Sequence, residues 1–195
     1  MSVQWVAYQV VPGAMLTAPL PSAPEVGDGW RGVELRRVHP LDQFDPLVEE
    51  TGFKSDAAFG LHEGASFAYA VATSRRGEPV RVVFGVDPSK TDAEEADVVR
   101  RCGVTGTGKR WRTRTAASLA SWSVHAPRRV TSAQIEPLLA PGSDAHESVG
   151  TLLGLLGLAP PAGAIPDPLD LQDVAREQLA VAGEAHRRRW FDRGR

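Results

Sequence analysis

The chain has 195 residues, 42% apolar and 24% charged, with a formal net charge of −2, which is ordinary globular usage and argues against global disorder. Its single cysteine, Cys102, excludes an intramolecular disulfide and fits a reducing compartment. No window approaches about eighteen uninterrupted apolar residues, which excludes a transmembrane helix, and no Lys or Arg precedes Arg31 to begin a signal peptide, so the expectation is a soluble cytoplasmic protein without membrane contact.

Val3–Val11 (VQWVAYQVV) is rich in β-branched and aromatic residues and reads as a first strand. A Pro/Gly-rich loop follows from Pro12 to Gly29, and Gly32–Val38 reads as a short second strand. Leu41–Gly52 reads as a helix, with Phe44, Leu47 and Val48 on one face and Gly52 at the place of a C-terminal cap. The strand-like runs Phe67–Thr73 and Val80–Val86, joined by the polar, Gly-containing Ser74–Pro79, form a hairpin signal.

Thr91 with Glu94 has the spacing of a capping box and opens a helix that carries Ala96, Val99 and Cys102 on its apolar side. Arg100 and Arg101 fall in its last turn and Gly103 closes it. Further on, Asp144 with Glu147 caps a helix whose Val149, Leu152, Leu153 and Leu156 are spaced i, i+3, i+4, i+7. Gly157 and Pro160-Pro161 end that helix. Strands early and helices late point to an α+β fold, a small antiparallel sheet from the N-terminal half covered by helices from the C-terminal half. The expected organisation is a globular unit over residues 1–157, a Pro-rich linker over 158–168, and a helix with a basic tail over 169–195, begun by Asp167 and Pro168.

Gly103-Val-Thr-Gly-Thr-Gly108-Lys109 matches the spacing G-x-x-x-x-G-K of a nucleotide phosphate loop. That loop needs a Ser or Thr next, whose hydroxyl holds Mg²⁺, and here Arg110 stands instead. It also needs a preceding strand, whereas the preceding segment reads as a capped helix. A flexible Gly/Thr loop accounts for the residues, and no nucleotide or other cofactor is expected.

The strongest departure from ordinary usage lies in charge. Residues 1–97 hold 8 Lys+Arg against 15 Asp+Glu, and residues 98–195 hold 14 against 9. Between Asp97 and Glu136 there is no acidic residue, while Arg100, Arg101, Lys109, Arg110, Arg112, Arg114, Arg128 and Arg129 all fall there. Such asymmetry points to an anionic partner. Arginine outnumbers lysine 19 to 3, a bias that GC-rich coding alone produces. If residues 109–114 form a strand, Arg110, Arg112 and Arg114 share one face and Trp111 takes the other, in the core. Were Trp111 exposed among its arginines, it would suit stacking on a nucleic-acid base. Residues 115–135 faintly match a helix-turn-helix, but Val124 stands where the turn glycine belongs and Pro127 interrupts the span. The competing account is internal, with acidic segments around Asp42–Asp56 and Asp92–Asp97 neutralising the basic stretch.

No other constellation carries chemistry. The histidines 39, 62, 125, 146 and 186 form no paired metal motif, and Ser66, Ser118 and Ser121 sit in no nucleophile elbow. Cys102 lies on an apolar helix face, which favours burial over reactivity. The reading is therefore a non-enzymatic interaction or regulatory protein that binds a protein with an acidic face through residues 98–135. Lys109, Arg110, Trp111, Arg112, Arg114, Arg128 and Arg129 are the candidate binding residues. Nucleic acid is the alternative partner, and an enzyme with a site assembled only by folding is the third reading. Trp190 and Phe191, in the last helix, are candidates for self-association.

Overall fold

The computed structural model describes residues 3–9, 24–35, 37–87, 93–105 and 108–160. Six strands, β1 (Val3–Gln9), β2 (Glu25–Gly27), β3 (Trp30–Glu34), β4 (Ala57–Glu63), β5 (Ala68–Ser74) and β6 (Val80–Phe84), form one antiparallel sheet in the order β2-β3-β1-β4-β5-β6. The helices among the described residues are α1 (Leu41–Ser55), α2 (Ala93–Arg101), α3 (Lys109–Trp122), α4 (Ser132–Ile135), followed by a 3-10 turn (Glu136–Leu139), and α5 (Ala145–Leu156). The fold is α+β, with the sheet drawn from the N-terminal half and the helices largely from the C-terminal half.

The hairpin forms with the expected turn, pairing Ala68 with Phe84 and Ala72 with Val80. Its first strand alternates small and large residues. Tyr69, Val71 and Thr73 point to one face of the sheet, Ala68, Ala70 and Ala72 to the other, as a period of two requires. α1 packs on the first face. There Gly60 of β4 is indispensable, because a Cβ would lie 2.3 Å from a methyl of Val48 and 2.9 Å from the Phe44 ring. α3 packs on the second face, where Trp122 meets Phe59 at 5.8 Å and Trp30 at 5.9 Å between ring centroids. Its indole N–H donates to the Thr73 carbonyl at 2.8 Å.

Several boundaries differ from the sequence reading. β3 begins at Trp30 and ends at Glu34, short of Val38. α1 runs on through Gly52, which is buried against Thr73, and ends at Ser55. Tertiary contact keeps that glycine helical where local propensity would stop the chain. β2 lies within the stretch read as a loop, and β4 (AAFGLHE) carries no clean alternation because it is buried on both faces. Asp144 does cap α5, its carboxylate accepting from the Glu147 N–H at 2.8 Å, and Val149, Leu152, Leu153 and Leu156 are buried. Gly157 ends α5 in the left-handed conformation. Thr91, residues 161–168 of the linker, and the last helix with Trp190 and Phe191 lie outside the described residues.

A row of polar side chains is buried beneath α1. Gln4 pairs in register with His62, and His62 with Tyr69, so all three share that face. The Gln4 amide donates to the His39 carbonyl at 2.8 Å and accepts from the His39 N–H at 2.7 Å. Its nitrogen also lies 2.8 Å from His62 Nδ1, which makes Nδ1 the acceptor and leaves the proton on Nε2. Nε2 is buried without a hydrogen-bond partner, and burial lowers the His62 pKa.

Candidate binding groove

The basic stretch is organised by α3, and it is a helix rather than the strand considered above. Its sequence, KRWRTRTAASLASW, holds neither Gly nor Pro and is rich in good helix formers. Gly108 enters it with φ +71°, a conformation costly for other residues. Trp111, Thr115, Ala116, Leu119 and Trp122 are buried along one side. That is an i, i+4, i+5, i+8, i+11 pattern, and it anchors α3 to the sheet.

The change from strand to helix redistributes the arginines. Arg110 and Arg114, four residues apart, share a face, whereas Arg112 is rotated about 200° from Arg110. Arg112 instead lines a small cavity with Val104, Gly108 and Trp111. Trp111 is only 6% exposed, so it is core, as expected, but for a helical reason. Arg128 and Arg129 fall beyond the far end of α3, about 21 Å along the helix from Lys109, in the irregular connection before α4. The seven candidate residues therefore do not form one patch. The helix-turn-helix alternative also fails, because α4 has four residues and is separated from α3 by nine residues, 123–131.

Lys109, Arg110 and Arg114 are exposed and form no ion pair with any described residue. With Thr105, Thr113 and Ala117 they line an open depression. Arg114 also lines a second, larger one, a groove of about 740 Å³ between α3 and the turn joining β5 to β6. On the α3 side this groove is walled by Arg114, Ser118, Ser121 and His125, spaced i, i+4, i+7, i+11. Opposite stand Arg76, Glu78 and Pro79, with Val80 and Arg81 of β6 below. Val124, 51% exposed, adds an apolar side chain. The Arg114 guanidinium lies near Gly103, at the C-terminal end of α2, where the helix dipole favours a cation.

Two further arginines of the groove are tied inward. Arg81 Nε donates to Asp45 at 2.9 Å and its guanidinium also reaches Glu49. Arg101 Nε donates to Asp97 at 2.8 Å and lies 3.8 Å from Asp45, while Arg100 pairs with Asp97. The hydrogen bonds from Arg101 and Arg100 lower the Asp97 pKa. The buried Asp45 carboxylate also accepts from the Tyr69 hydroxyl at 2.9 Å, and burial, reinforced by Asp45, raises the Tyr69 pKa. Cys102 is buried at the groove's end, where desolvation raises its pKa and keeps it a thiol. The internal account of the basic stretch thus holds for Arg100 and Arg101, which use Asp97 and Asp45, and not for Lys109, Arg110 or Arg114.

The phosphate-loop resemblance meets half of its structural requirement, since Lys109 opens a helix. The segment before it is α2, not a strand. Among the described residues no group of three or more His, Cys, Asp and Glu is placed to hold a metal ion. No helix among them is long and apolar enough to cross a membrane. The sequence reading missed Arg76, Arg81, Ser118, Ser121 and His125. The spacing of Arg114, Ser118, Ser121 and His125 would have revealed their wall had residues 109–122 been read as helical. Comparison with protein-family models, curated proteins and solved structures finds no match.

Proposed function

We propose that this chain is a non-enzymatic binding module that docks a protein partner with an acidic face onto the exposed side of α3. The observation that carries the reading is that Lys109, Arg110 and Arg114, on a helix with no carboxylate of its own, form no ion pair with any described residue. Exposed cations of this kind contribute little to folding, so they are free to serve association. The burial of Trp111 favours a protein over a nucleic acid, because the one aromatic among the arginines is unable to stack on a base.

The test is capture from native cell extract with the wild-type chain and with the Lys109→Ala/Arg110→Ala/Arg114→Ala variant, quantified by mass spectrometry. The expected result is an acidic protein retained by the wild type and lost by the variant, with the loss greatest at low salt. Identical captured sets would overturn the reading.

A further inference from the structure

Resting on that reading, we infer that the partner's acidic residues enter as an extended segment seated in the groove between α3 and the β5–β6 turn, rather than as a folded face lying across α3. The two depressions beside α3 share Arg114 as a lining residue, which sets Lys109 and Arg110 next to the groove. In the groove, cations without a carboxylate partner among the described residues stand on both walls, Arg114 on α3 and Arg76 on the turn. Glu78 is the single carboxylate among the lining residues, and Asp45, Asp97 and Glu49 already hold Arg81 and Arg101. The groove therefore complements carboxylates at its rims.

The sheet supplies a second reason for an extended occupant. β6 is an outermost strand, and Val80 and Arg81 at its start line the groove. Among the described residues its outward backbone groups have no neighbouring strand, and an incoming extended chain satisfies such groups by main-chain hydrogen bonds. The opposite edge of the sheet is closed by the chain itself, the Ala159 N–H donating to the Val26 carbonyl of β2 at 2.7 Å. Alternate side chains of an extended segment point to opposite sides. One set would face α3, with Arg114 and the exposed Val124, and the other would face the turn, with Arg76.

The experiment is fluorescence anisotropy of the full chain with a labelled eight-residue peptide of alternating Glu and Val, and with a Lys–Val peptide as control. The Glu–Val peptide should bind and the Lys–Val peptide should not. Ser118→Trp fills the groove without changing charge, and Arg76→Glu reverses the charge of an exposed turn residue that folding does not depend on. Each should weaken Glu–Val binding about tenfold or more, while Arg129→Glu, exposed beyond the end of α3 and outside the groove, should weaken it less than about threefold. Failure of the Glu–Val peptide to bind, or binding unchanged in both groove variants, overturns the extended-segment inference. If the Lys109/Arg110/Arg114 variant still loses its partner in the capture experiment, the binding-module reading stands while this inference falls. If that capture is also unchanged, both fall.

Discussion

The arginines on either side of Gly103 belong to one basic run, yet they live in opposite environments. Arg101, with Arg81 from β6, converges on Asp45, Asp97 and Glu49 beside the buried Tyr69 hydroxyl. Lys109, Arg110 and Arg114 project from α3 with no carboxylate partner among the described residues. In the first region the charges link elements of the fold; in the second they have no such partner among the described residues. A run of like charge in a sequence is therefore not one functional unit, because burial and partners decide what each member does.

The contrast can be broken most severely at Asp45. Asp45→Ala removes the shared acceptor of Tyr69 and Arg81 and should destabilise the fold by about 3 kcal/mol in urea denaturation. A change below about 0.5 kcal/mol would mean that the network contributes nothing and that the two regions do not differ.

The polar row under α1 offers a pH test of the same interior. Burial lowers the folded-state pKa of His62 below its unfolded value. The unfolded chain therefore takes up the proton first, at about pH 6.5. Stability should be full above that pH and fall as pH drops below it, levelling off below the folded pKa. Denaturation midpoints measured over this range should show a shallower decline in His62→Gln. Equal slopes would remove His62 from the account.

Paired single variants sharpen the comparison. Arg101→Ala should cost about 1 kcal/mol, since Asp97 loses a charged hydrogen-bond donor and Asp45 a nearby cation, whereas Arg110→Ala should cost less than about 0.5 kcal/mol. Equal thermal shifts for the two would erase the distinction. Lys109→Ala/Arg110→Ala/Arg114→Ala should likewise have little effect on stability. Its melting temperature should stay within about 2 °C of wild type, and a clear drop would show these residues to be part of the scaffold.

Where local chemistry decided the outcome, residues announced their structure. Asp144 and Gly157 bound α5 because a cap and a left-handed terminus are satisfied by neighbours a few positions away. The hairpin from β5 to β6 was legible for the same reason, its two runs and polar turn being contiguous. The candidate site was legible only in part. Lys109, Arg110 and Arg114 were marked by charge, but the alternation of Arg110, Arg112 and Arg114 mimicked a strand. The competing period set by Trp111, Thr115, Leu119 and Trp122 won once the sheet offered those side chains a surface to bury.

The sequence by itself determined the α+β composition, the early strands and late helices, the capped α5, and the acid-free stretch from residue 98 to 135. Only the tertiary structure decided that β4 completes the sheet between β1 and β5 and that Arg76 faces Arg114 across a groove. It alone decided that Asp45 engages Arg81, 36 residues away, while Arg110 has no ion pair with a described residue. The physical reason is range. Caps, turns and periodicity act over a few residues and can be read along the chain, whereas pairing and desolvation depend on which distant segments the sheet brings together.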